Sequence, residues 1–216
     1  MNRAHCALLA LPLIALSAHA ADIAFPVERP TLATGDTFTM QRKDIGKNEV
    51  TGTSTITISG RNDSGYTIAV NQAPDFSANP IEALSPDLGW RGKVNGETSD
   101  EEWLQFPLTQ GKTWKSHGLW QIATGYGFDD TTFTVAGIED VTVPAGTFKA
   151  VRMDGKGWWT LSGTPGGTGR VSASGASVIT IWYSPEAKAI VRLDINRVVP
   201  RGVNHYAFEL TTFKVQ

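Results

Sequence analysis

Apolar and polar positions alternate with a period of two along most of the chain, and no stretch of about a dozen residues carries the spacing of an amphipathic helix. Ser54, Ile56 and Ile58 share one face against Thr55, Thr57 and Ser59, and Tyr66, Ile68 and Val70 repeat the pattern after the turn residues Asn62-Asp63-Ser64-Gly65. That pair predicts a hairpin. Ala189, Val191, Leu193 and Ile195 form an apolar row opposite Arg192, Asp194 and Asn196, and Tyr206, Phe208 and Leu210 oppose His205, Glu209 and Thr211. Both read as half-buried antiparallel strands. Val141-Thr142-Val143-Pro144-Ala145-Gly146-Thr147-Phe148 predicts a hairpin with a three-residue loop and arms Ile138–Val143 and Thr147–Met153, since proline presets the turn and glycine takes its left-handed position. Ser184-Pro185-Glu186-Ala187-Lys188 predicts a second turn, before the Ala189 strand.

Two stretches break the alternation. Residues 72–88, with Pro74, Pro80 and Pro86, predict a long connection or a short helix around Ile81–Leu84, and the first half of Ser162–Ser177, with Gly163–Gly169, predicts a flexible hairpin tip. Val178 with Trp182, and Ile179 with Ile181 and Tyr183, make one strand apolar on both faces, which predicts something packed on each side. Adjacent Trp158 and Trp159 must point to opposite faces of their strand. The fold class expected is all-β: one antiparallel, strongly curved sheet, half-barrel or clam-like, of ten or so short strands, with little helix.

The N-terminus departs from this pattern. Arg3, the apolar run Ala7–Leu16 and Ala18-His19-Ala20 read as a secretory signal peptide over residues 1–20, cleaved near Ala20. Its apolar run is shorter than the roughly 20 residues a membrane helix needs, and no later segment is longer, so no transmembrane segment is expected. Residues 21–216 would then form a single domain, periplasmic or secreted. Its only cysteine, Cys6, lies in the leader, so the mature chain can form no disulfide, which suits a bacterial periplasm. Losing Arg3 moves the formal charge from −2 to −3, and no basic run exists, which argues against nucleic acid and against a polybasic membrane contact.

Phe106-Pro107-Leu108 with Gly111-Lys112-Thr113-Trp114, the hairpin Val141–Arg152, and Trp182-Tyr183-Ser184-Pro185 occur in that order. Across about residues 103–195 the chain resembles the exported bacterial proteins grouped as 3108-like domains of unknown function. The resemblance implies a curved antiparallel sheet, an open half-barrel similar in outline to carriers that move lipids and lipoproteins across the periplasm. It brings no catalytic residues with it.

Candidate chemistry is sparse. His117 and His205 fall short of the three ligands of a catalytic zinc, and no Gly-x-Ser-x-Gly elbow marks a nucleophile. No cofactor is expected. Carboxylates cluster at Glu97, Asp100, Glu101 and Glu102 and at Asp129 and Asp130; acids so placed are usually solvated turns, and the first run lacks calcium-loop spacing. The leading expectation is a non-enzymatic exported protein that binds a hydrophobic or amphipathic envelope component in a groove lined by some of Trp120, Trp158, Trp159, Trp182 and Tyr183. One alternative is carbohydrate binding or processing, with tryptophans stacked on sugar rings and Asp129 or Asp130 with Glu101 bonding hydroxyls. Another is a structural or assembly partner for an envelope protein.

Overall fold

The computed structural model describes residues 23–72, 81–94, 96–122, 125–162 and 171–216. Twelve strands run through them: β1 (Thr37–Asp44), β2 (Glu49–Asn62), β3 (Gly65–Gln72), β4 (Ala83–Leu84), β5 (Trp90–Val94), β6 (Glu97–Glu101), β7 (Thr113–Ile122), β8 (Gly125–Val143), β9 (Gly146–Ser162), β10 (Val171–Ser184), β11 (Ala189–Val199) and β12 (Gly202–Lys214). No α-helix occurs among the described residues. All strands pair antiparallel in one sheet of order β6-β5-β4-β3-β2-β1-β12-β11-β10-β9-β8-β7. The chain is therefore an up-and-down meander in which the first and last strands pair, and the two sheet edges fall between β6 and β7.

The sheet curls until those edges nearly meet. Register shifts at Thr39/Met40, Ile58/Gly60, Val135/Gly137 and Trp182/Tyr183 insert extra residues that raise the local twist. No ladder joins β6 to β7. Instead the buried Ser99 hydroxyl on β6 accepts from the Leu119 amide at 3.1 Å and donates to the Leu119 carbonyl at 3.0 Å. The result is a nearly closed, barrel-like sheet with alternate side chains turned inward.

Two irregular segments fill one end of the interior, where β1 begins and β12 finishes. Leu104 and Leu108 are completely buried, Phe106 meets Tyr183 edge-on at 5.1 Å, and Val27 and Leu108 exchange backbone hydrogen bonds of 2.9 and 2.8 Å. The buried Asp36 carboxylate accepts from the Ala33 amide at 2.8 Å and the Gln216 amide at 3.0 Å, tying the start of β1 to the C-terminus. Beyond the Val135/Gly137 bulge the β8–β9 hairpin buries its other face, through Val141, Val143, Phe148 and Ala150. Its tip returns to β12, with the Ala145 amide donating to Leu210 O at 3.0 Å.

Both faces of the expected hairpins are as the alternation predicts, but several local expectations change. Ala83–Leu84 is not helical: it pairs with Tyr66–Thr67 and Trp90–Arg91 as β4, because a short apolar pair can complete a sheet as readily as start a helix. The β8–β9 turn has two residues instead of three, since Val143 already pairs with Gly146 at φ +137°. The acids Glu97–Glu101 are strand β6, and the second half of Ser162–Ser177 lies in β10. The outer face of β10 is only partly covered: Val178 is 49% exposed, while Trp182 on the same face is half-buried. The expected signal segment 1–20, residues 73–80 and Gly163–Gly169 lie outside the described residues.

Truncating a side chain in the filled end removes packing that nothing can replace. Leu108→Ala is expected to lower the unfolding free energy by about 2–5 kcal/mol, measured by urea denaturation.

Candidate functional site

Pairing register sorts the inner face into levels about 7 Å apart, two residues along each strand. Trp114, Phe133, Gly155, Ile179 and Ile195 form one level, and it is apolar. The next level is Ser116, Thr131, Gly157, Ser177 and Arg197, and the one beyond is Gly118, Asp129, Trp159 and Gly175. A polar belt thus begins abruptly inside the barrel.

Charge concentrates in this belt. Arg197 pairs with Asp129 Oδ2 and donates to the Tyr206 hydroxyl at 3.1 Å, while Arg42 lies 4.5 Å over the Tyr206 ring. Glu101 reaches in from the end of β6 across the seam. Its Oε2 accepts from the Trp103 indole N–H at 2.9 Å, and its Oε1 lies only 2.3 Å from where a Cβ on Gly118 would stand. Glycine at 118 is what admits the carboxyl group.

Burial raises Glu101 from the ordinary 4.5 to about 7, helped by the negative Asp129 and opposed by Arg197 and the Trp103 hydrogen bond. Asp129 is also raised, first by burial, against the opposing pull of Arg197. Five buried polar atoms of the belt find no close hydrogen-bond partner within the protein: Asp129 Oδ1, Trp120 Nε1, Thr131 Oγ1, Ser177 Oγ and Arg197 Nε; the Trp120 indole N–H lies near enough to Asp129 to favour its ionised form. A pocket of about 280 Å³, its mouth included, opens among Glu101, Trp103, Ser116, Asp129, Thr131 and Arg197.

A second cavity lies on the apolar side. It offers about 580 Å³, mouth included, between Phe38 and Met40 of β1, Ile56 of β2, Leu84, Leu88, Trp90, Trp103, Leu193 and the turn Lys188–Ile190, with Leu32 beneath. It is slender, and its walls are almost wholly hydrocarbon and indole. Lys188 at its margin donates to Thr31 O at 3.2 Å and Gln216 O at 2.6 Å. Trp103 lines both cavities.

The five aromatic residues singled out in the sequence do not share a face. Trp159 points inward, donates its indole N–H to Val198 O at 2.9 Å and stands 6.4 Å from the inward Trp120, over which Arg197 lies at 5.3 Å. Tyr183 is also inward but sits in the core, where burial pushes its phenol well up. Trp158 is outward and 53% exposed. Trp182 is outward as well, held by Glu139 Oε1 at 2.7 Å and by Arg192 5.5 Å over its ring. Asp129, expected to be solvated, is instead buried, with a half-buried Glu101 beside it, because β8 turns odd positions inward and closure carries the end of β6 inside. Trp90 and Trp103 line the larger cavity, and sequence reasoning had not singled them out.

No family model matches the chain, and no curated protein matches it significantly. Among solved structures it is similar to a Bacteroides fragilis protein of YmcC-like fold, assigned as exported, at 12% identity and TM-score 0.47 over 87% of this chain and 99% of that one. It is similar to a Parabacteroides distasonis protein assigned as a lipoprotein, at 14% identity and TM-score 0.45 over 90% and 100%. The hypothetical lipoprotein YmcC of Escherichia coli gives 12% identity and TM-score 0.38 over 82% and 84%. No helix among the described residues is long and apolar enough to cross a membrane.

Two outcomes follow from this geometry. Because Glu101 holds its proton more tightly folded than unfolded, stability falls as pH rises from about 4.5 towards 7. Glu101→Gln is expected to flatten that decline by up to about 1.4 kcal/mol per pH unit in chemical denaturation, the slope of one proton. Trp159→Ala is expected to cost about 3–5 kcal/mol, and the exposed Trp158→Ala under about 0.5 kcal/mol, by the same measurement.

Proposed function

We propose that the protein is exported and binds an amphipathic molecule of the bacterial envelope, whose apolar part occupies the cavity between β1, β2, β5 and β11. The observation that carries this reading is the cavity itself: a cleft inside a curved sheet, walled by Phe38, Met40, Ile56, Leu84, Trp90 and Leu193. The lining offers hydrocarbon and indole and almost no polar surface, the kind of wall against which an acyl chain would lie. Export is supported by the signal-like residues 1–20, and an envelope role by the likeness of the Phe106–Leu108, Val141–Arg152 and Trp182–Pro185 motifs to exported 3108-like domains.

Native mass spectrometry of the protein purified from a periplasm is expected to show an added mass that denaturation releases. Titration with a fluorescent fatty acid is expected to saturate at one site, and Ile56→Trp, which fills the cavity, to weaken binding at least tenfold while the variant still melts cooperatively. A bare mass together with no saturable binding would overturn the reading.

A further inference from the structure

The polar belt has hydrogen-bonding capacity that the protein does not use. Asp129 and Thr131 are 6% and 4% exposed, line the smaller pocket, and present Oδ1 and Oγ1 with no partner; Arg197 Nε is an unused donor on the same wall. Unmet buried polar groups are costly, so a ligand that completes them gains what the fold leaves unsatisfied.

The charges restrict what that ligand can be. An anion would meet Asp129 and Glu101, and a cation would meet Arg197, with Arg42 nearby over Tyr206. Asp129 and Arg197 already neutralise each other as a pair, and Glu101 holds its proton below about pH 7, so at pH 6 neither sign of ligand charge gains a free counter-ion. The unused atoms on this wall include an acceptor, Asp129 Oδ1, a donor, Arg197 Nε, and the Thr131 hydroxyl, able to act as either. Hydroxyl groups, which donate and accept at once, match such a mixed set.

Position adds a second restriction. Leu193 lines the apolar cavity, and Arg197, four residues further along the same face of β11, lines the polar pocket, a separation of about 13 Å. Trp103 is common to both walls. A molecule with its chain in the first would bring its head to the second.

The geometry points to a head-group subsite: the pocket formed by Glu101, Ser116, Asp129, Thr131 and Arg197 receives an uncharged, hydroxyl-bearing head, of which the glycerol of a monoacylglycerol is the simplest form. This rests on the amphipath-binding reading above. The raised pKa of Glu101 fits it, since a protonated carboxyl can both donate to and accept from a hydroxyl.

The test compares ligands of one chain length and three heads. Monolaurin, laurate and dodecyltrimethylammonium, each below its micelle concentration, displace a fluorescent acyl probe from the full mature protein at pH 6, with free glycerol as a fourth competitor. Monolaurin is expected to bind at least tenfold more tightly than either charged ligand. In Thr131→Val combined with Ser116→Ala, near-isosteric changes that leave no new buried polar atom, that advantage is expected to shrink at least fivefold while laurate affinity stays the same. Equal or better binding of a charged head, or an advantage that survives the double change, overturns the head-group assignment and leaves amphipath binding standing. Displacement by free glycerol at monolaurin concentrations overturns the link between the two cavities. Failure of every chain to bind overturns the reading on which the inference rests.

Discussion

Closure of the sheet without a final ladder is the constraint from which the interior follows. An open sheet of twelve strands has two edges, and unpaired edges invite pairing with other chains. Here β6 and β7 are brought together by side chains: the Ser99 hydroxyl satisfies both backbone groups of Leu119, and Glu101 lies against Gly118. The second contact sends a carboxyl group into the barrel. Closing the seam and placing an ionisable group inside are therefore one structural event.

That carboxyl group meets an interior already divided. On β7 and β8 the inward parity changes from Trp114 and Phe133 to Ser116 and Thr131, then to Gly118 and Asp129, with no change of register. A buried aspartate costs several kcal/mol unless paired, and Arg197 supplies the pair from β11, on the far side of β9 and β10. Such a pair is weak support for stability compared with a hydrocarbon core, and the unused atoms around it make the belt poorer still as packing. The stable part of the barrel is the other end, where Leu104, Leu108, Ile181, Val191 and Leu210 are almost completely buried. The molecule separates what holds it together from what faces its cavities.

Much of the fold was legible because alternation reports the face of a strand directly. The β2–β3, β8–β9 and β10–β11 hairpins, the inward rows of β11 and β12, and the opposite directions of Trp158 and Trp159 all follow from a period of two and turn chemistry. The site was less legible, for a definite reason. Parity says which face a residue occupies but not whether that face is wet, and Glu101 and Asp129 were read as solvated because acids in runs usually are. A signal was present: Ser116, Asp129, Thr131, Ser177 and Arg197 stand at the parity of Trp114, Phe133, Ile179 and Ile195, so polar residues interrupt four apolar rows. Recognising that the interruptions coincide needed the register between strands, which no single strand contains. Trp90 and Trp103 were missed for a related reason, since short β5 and the irregular segment after β6 have too few alternating residues to reveal a face.

Trp103 joins these two parts of the interior. Its ring packs 5.9 Å from Trp90 on the apolar side, while its N–H is held by Glu101 on the polar side. A tryptophan suits that boundary because it offers a large apolar body and one polar handle that must be satisfied when buried. With Glu101 ionised, the indole donates to a full negative charge and is held firmly; with Glu101 protonated, it donates to a weaker acceptor. One side chain thus supplies a wall of the apolar cavity with its ring and a hydrogen bond of the belt with its N–H.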